Sequence, residues 1–122
     1  MNPQVDSSEI ICRFAFESSK VPRGFLHPRA FHQPGGVSVS RIDDLEHSAV
    51  WVLGDAAGAP RRLTAIARGD LSVSVVRELD LDVVSNEPPD RHALIVGLDD
   101  LDKERAGARM KQLAAETALH LR

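Results

Sequence analysis

The sequence predicts an α+β fold, with a small mixed or antiparallel sheet of about five strands packed by a long C-terminal helix and one or two shorter helices. Three observations carry that expectation. Short segments in which apolar and polar residues alternate recur along the chain, as strands with one side turned inward do. Gly- and Pro-containing breaks separate them. The C-terminal segment places apolar residues at steps of three and four, the spacing of one helix face.

Residues 1–8 are polar and contain a Pro, which predicts a flexible N-terminal tail ahead of a single α+β domain over residues 9–122. In Glu9 to Phe16, Ile10, Cys12, Phe14 and Phe16 fall on one side and Arg13 on the other, a first strand. Cys12 is then a core residue, because a reactive thiol needs electropositive, partly exposed surroundings that its neighbours do not supply. From Glu17 to Pro34 the alternation dissolves, and Pro22, Gly24, Pro28 and Pro34 interrupt any helix. Phe25, Leu26 and Phe31 are expected to pin this loop to the core. Long ordered loops in compact domains are often functional, which draws attention to His27, Arg29 and His32.

Gly35-Gly36 makes a turn into Val37 to Arg41, a second strand with Val37 and Val39 on one side and Ser38 and Ser40 on the other. Asp43 to Leu53 reads as a helix through Leu45, Ala49, Val52 and Leu53, with Asp43 as N-cap, Glu46 at capping-box spacing and Gly54 as the stop. The β-branched and aromatic run Ala49 to Leu53 leaves a strand there as the competing reading. Asp55 to Pro60 is a loop of small residues, Arg62 to Arg68 a third strand, and Asp70 the cap of a short helix over Leu71 to Leu79. Leu81 to Ser85 is a fourth strand, and Asn86 to Asp90, with its two prolines, a turn. Arg91 to Leu98 is nearly all apolar, which predicts a central strand buried on both faces. The final helix is predicted over Leu101 to Leu121, capped by Asp99 or Asp100, with Ala106, Met110, Leu113, Ala114, Thr117 and Leu121 forming the stripe that packs on the sheet.

A chain of 122 residues, 43% hydrophobic and 27% charged, buries enough apolar surface to fold without disulfides. Its net charge of −3 weighs against nucleic acid, which calls for a basic face; Arg61, Arg62 and Arg68 are the residues such a partner would use. A single cysteine precludes an intrachain disulfide and fits a reducing compartment. No run approaches the roughly 18 apolar residues of a membrane span, and the first residues lack the pattern of a signal peptide. A cytoplasmic protein with no membrane association is expected.

Four pieces of the sequence form a pattern: Arg13-Phe14 in the first strand, Phe31 in a Pro-rich loop, Gly36-Val37-Ser38-Val39-Ser40-Arg41, and His92-Ala93-Leu94-Ile95-Val96-Gly97. The pattern resembles a group of small uncharacterised bacterial proteins with a Gly-x-Ser-Val-x-Arg strand and a His-Ala-x-Ile-x-Gly strand. That resemblance implies a compact bacterial α+β domain and no particular activity.

Two constellations bear on function. His27, His32 and His92 have the ligand count of a catalytic zinc site, but their spacing matches no standard signature and the prolines prevent a helical pair. They are expected to be ordinary surface or hydrogen-bonded residues, with His27 and His32 the metal candidates if a metal is bound. Ser38, Ser40, Arg41 and His92 would line one cleft if their strands are neighbours. There Arg41 and His92 would hold a phosphate or carboxylate, and His92 has the acid–base chemistry for neutral pH. For an enzyme, the catalytic set would be His92, Arg41 and Ser38. This set resembles the ADP-ribosyltransferase type of site, in which a strand Arg or His and a Ser-containing strand hold a nicotinamide nucleotide. The late catalytic Glu of that type has only Glu78 and Glu87 as candidates.

Two acidic rims, Asp80, Asp82, Glu87 and Asp90 and then Asp99, Asp100 and Asp102, are carboxylate groupings of the kind that hold Mg²⁺, though helix capping already accounts for the second. Gly35-Gly36 precedes a strand, so it is neither a Walker nor a Rossmann phosphate loop. The expectation is a non-enzymatic binding or accessory protein without a cofactor. It would act through a protein partner, self-association or a small anionic ligand. The alternative is an enzyme with a His/Arg/Ser cleft for a phosphorylated or nucleotide substrate.

Overall fold

The computed structural model describes residues 4–122. Six strands form one sheet: β1 (Ile10–Ala15), β2 (Val37–Arg41), β3 (Ala67–Ser72), β4 (Asp82–Ser85), β5 (His92–Val96) and β6 (Ala118–Leu121). Their order is β4-β5-β2-β1-β3-β6, and every neighbouring pair is antiparallel. Among the described residues three α-helices complete the α+β architecture, α1 (His47–Gly58), α2 (Val73–Glu78) and α3 (Lys103–Glu116).

The two faces of the sheet bury different sets. On one face Ile11 and Ala15 of β1, Val37 and Val39 of β2, and Ala93 and Ile95 of β5 pack with Val73 and Val76 of α2 and Leu113 of α3. Leu26 and Phe31 of the long first loop, each 1% exposed, join this core. On the other face Cys12 and Phe14 pack under α1 with Val50, Ala65 and Ile42. Strand β1 is therefore covered on both sides. The inward set of Ile10, Cys12, Phe14 and Phe16 is real, and Ile11 and Ala15 form a second one.

The expected tail is docked from Val5 onward. Val5 is 2% exposed, and its carbonyl accepts from Arg77 Nη2 at 2.8 Å. Residues 1–3 lie outside the described residues. In the loop, Phe25 is 51% exposed, so Leu26 and Phe31 do the pinning without it. A turn closed by Leu45 N–H on the Ile42 carbonyl delays α1, which begins at His47 with Glu46 rather than Asp43 at its N-cap. Gly54 does not stop that helix. It is the point of close approach to the sheet: a Cβ there would lie 2.7 Å from Phe14 Cε1 and 2.9 Å from Ala65 Cβ. The face toward the sheet is accordingly Val50, Gly54 and Gly58, and Val52 points outward.

The third strand starts at Ala67 rather than Arg62, because Arg62 adopts a left-handed conformation (φ 57°) that breaks an extended run. Asp70 consequently lies inside β3, and α2 starts after Ser72. Strand β5 is interior, between β4 and β2, yet its burial alternates: Ala93 and Ile95 are buried, while His92, Leu94 and Val96 are half-exposed. Asp102, not Asp99 or Asp100, caps α3 by accepting from Arg105 N–H at 2.8 Å. That helix ends at Glu116, where Thr117 turns extended and its hydroxyl donates to the Ala114 carbonyl. Ala118 to Leu121 then pair with β3 as an edge strand instead of prolonging the helix.

Candidate functional site

The site follows from an incomplete ladder. β1 pairs with β3 along its full length, from Ile10↔Ser72 to Ala15↔Ala67. Its pairing with β2 is confined to Ile11↔Arg41 and Cys12↔Ser40. Beyond Cys12 the two strands part, and their main-chain groups need other partners. Side chains supply them. Gln33 Oε1 accepts from Ser38 N–H at 2.8 Å, and Arg13 Nη1 donates to the Ser38 carbonyl at 2.8 Å. Arg13 Nε donates to the Ala30 carbonyl, also at 2.8 Å, tying the loop to the gap.

The gap opens into a cleft of about 590 Å³, within the range of small-molecule sites. Arg13, Lys20, Arg29 and Arg61 line it, against a single carboxylate, Glu17. These cations differ from most of the other arginines, Arg23 and Arg62 excepted. Arg41, Arg68, Arg77, Arg91, Arg105, Arg109 and Arg122 each pair with an Asp or Glu. Among the described residues, none of the four cleft cations has a carboxylate within ion-pair distance. Burial, with the Arg61 charge nearby, pushes the Arg13 guanidinium down to about 10, which still leaves it a cation at neutral pH. Arg61 is held over the Phe16 ring at 5.2 Å, a cation–π contact that fixes its position at the rim.

Three of the residues expected to share a cleft do so. Ser38 and Ser40 project from the same side of β2, and Ser40 stands directly across from His92 of β5. His92 Nδ1 lies 3.0 Å from the Asn86 carbonyl, which can only accept. Nδ1 therefore carries the proton, and Nε2 is left for a ligand.

Arg41 is not part of this group. Alternation puts it on the Val37 and Val39 side of β2, where it forms a two-point ion pair with Glu9, both contacts 2.8 Å. That pairing holds the Glu9 carboxyl below its ordinary range and raises Arg41. Arg41 opens onto a separate shallow depression with Asp43, Asp44 and Glu87. The catalytic combination of His92, Arg41 and Ser38 is thus not assembled, because a strand's period of two sends Ser40 and Arg41 to opposite faces.

His27 and His32 also separate. His27 Nδ1 accepts from Arg29 N–H at 3.0 Å and caps the short 3-10 turn Pro28–Phe31. His32 lines the cleft without it. Among the described residues no three His, Cys, Asp or Glu side chains gather as a metal site. Cys12 is fully buried, and burial followed by the Asp70 charge pushes its thiol up, away from a reactive thiolate.

Arg68, a residue a nucleic acid would need, is 2% exposed and faces inward. Its Nε donates to Asp70 Oδ1 at 3.0 Å, its Nη2 lies 2.6 Å from His47 Nδ1, and its guanidinium sits 5.1 Å over Trp51. Asp70 in turn meets His120 Nε2 at 3.2 Å. This polar cluster holds α1 and β6 to β3 beneath the helix. Among the described residues no helix is long and apolar enough to cross a membrane.

Sequence reasoning missed Arg13, Lys20 and Gln33. Arg13 carried a usable signal, being a charged residue between two apolar positions of a strand now covered on both faces. Comparisons of the chain with protein-family models, curated proteins and solved structures found no match.

Proposed function

We propose that this protein is a non-enzymatic binding protein whose cleft between β1 and β2 takes a small ligand bearing an oxyanion, a phosphate or a carboxylate. The observation that carries this reading is Arg13. It is a largely enclosed guanidinium whose two hydrogen bonds go to main-chain carbonyls, and no described carboxylate offsets its charge. Leaving a cation desolvated and unpaired is costly, and a bound anion removes that cost. Lys20, Arg29 and Arg61 concentrate further positive charge at the same opening of a protein whose net charge is −3. An anion would also meet the hydroxyl donors of Ser38 and Ser40.

A binding role is favoured over catalysis because the cleft gathers four cations, while the set of His92, Arg41 and Ser38 expected of an enzyme is not assembled. The ADP-ribosyltransferase-like reading loses its strand arginine, since Arg41 is committed to Glu9.

Isothermal titration with inorganic phosphate, at low ionic strength, tests the proposal. Binding is expected in the wild-type protein, weakened about tenfold in Arg61→Ala, an exposed position whose loss leaves the fold intact. Phosphate that binds equally well to Arg61→Ala, or not at all to the wild type, overturns it.

A further inference from the structure

A second cavity of about 700 Å³ adjoins the basic cleft. The two share Lys20, Arg29, His32 and Gln33, so one set of basic and polar side chains borders both. Beyond these the second cavity is mainly apolar, bounded by Phe31, Pro34, Leu98, Leu101 and Met110, with Asp99 and Lys103 its remaining charged residues. Its walls are braced by a hydrogen bond from Gly35 N–H to Asp99 Oδ2 at 2.7 Å, which joins the Pro34 turn to the loop before α3.

Gly107 is the informative residue. It lies inside α3, where glycine weakens a helix relative to alanine. No packing reason requires it: a Cβ built there would meet nothing within 4 Å, in contrast to Gly54 and Gly69. Its φ is not in the left-handed region. The space it leaves opens into the second cavity, which it helps line. A glycine that the protein's own packing does not need, on the wall of an apolar cavity, is suited to the close approach of a ligand.

We infer that the ligand is an amphipathic anion, with its phosphate or carboxylate head in the Arg13 cleft and an apolar body lying against Gly107 and Met110 in the second cavity. This inference rests on the oxyanion reading of the cleft. Charge complementarity orients the ligand: Lys20 and Arg29 stand at the shared border and Arg13 and Arg61 beyond it, while in the second cavity Lys103 is accompanied by the Asp99 carboxylate and most of the lining is hydrocarbon.

The test is a titration series on the wild-type protein with inorganic phosphate, methyl, butyl and octyl phosphate, octanoate and octanol, each below its micelle-forming concentration, repeated with Gly107→Leu. Affinity is expected to rise with chain length, with octyl phosphate binding at least about tenfold more tightly than inorganic phosphate. Gly107→Leu fills the cavity and should abolish that gain while leaving inorganic phosphate binding unchanged. Octanoate compared with octyl phosphate separates a carboxylate head from a phosphate head, and a Gly107-dependent gain for either supports the inference. Phosphate binding with no gain from the chain overturns this inference alone, as does octanol binding as tightly as octyl phosphate. If no anion binds, the oxyanion reading falls and takes this one with it. The chain-length series on the wild type decides the matter even if Gly107→Leu fails to fold.

Discussion

Arg13 donates through Nη1 to the Ser38 carbonyl at 2.8 Å, across the place where β1 and β2 stop pairing. One side chain thus replaces part of a missing ladder and brings a positive charge into the opening that the missing ladder leaves. Substitutions there will therefore read both the fold and the proposed anion binding.

Arg13→Met should cost about 2 kcal/mol of stability, because the Ala30 and Ser38 carbonyls lose their donor in a half-buried setting. The same variant should lose phosphate binding. Denaturant unfolding and calorimetric titration measure the two effects separately; an unchanged unfolding midpoint would show that the carbonyls find other donors.

Glycine-to-alanine changes in the two longer helices should have opposite signs. Gly54→Ala puts a methyl 2.7 Å from Phe14 Cε1 and should destabilise by about 2 kcal/mol despite alanine's better helix propensity. Gly107→Ala meets nothing and should stabilise by about 1 kcal/mol. Thermal unfolding of the two variants against the wild type checks both. Equal shifts would contradict the packing of α1 on β1.

Arg68→Met should cost about 3 kcal/mol, since Asp70 is left partly buried beside His120 without its arginine. Replacing Arg68 and Asp70 together with apolar residues should recover much of that loss, because a removed pair costs less than a broken one. A double-mutant cycle from urea unfolding gives the coupling; near-zero coupling would mean that the pair contributes little.

The Glu9–Arg41 pair sets an acid-side pH dependence. The folded carboxyl is held below its ordinary value, chiefly by the hydrogen bond from Arg41. Its stabilisation is therefore complete above the ordinary Glu range and is lost as pH falls through the lowered folded value. Glu9→Gln should reduce stability by about 1 kcal/mol at neutral pH and flatten the acid-side decline. Parallel decline in the two proteins would show that other carboxylates dominate.

Much of the secondary structure was legible locally. The alternation in Val37 to Arg41, with Ser38 and Ser40 on one side, needs only the strand period to be read. The last helix was legible over Lys103–Glu116 and not at its end, because Ala118 to Leu121 suits either period and the open edge of β3 decided between them. Gly54 shows the same limit. A helix followed by glycine reads as a stop unless the sheet behind it is known.

By itself, the sequence determined the α+β class, the alternating faces of the strands, the burial of Cys12 and the irregular Pro-rich loop, all of which depend on residues near one another in the chain. Tertiary structure alone decided that β2 and β5 are neighbours, that Ser40 faces His92, that Arg41 is committed to Glu9, and that β1 and β2 part after Cys12 to leave Arg13 without a counter-charge. The reason is that strand order and ladder length are set by packing across the whole sheet. A site made at a gap between strands has no signature in either strand's own residues.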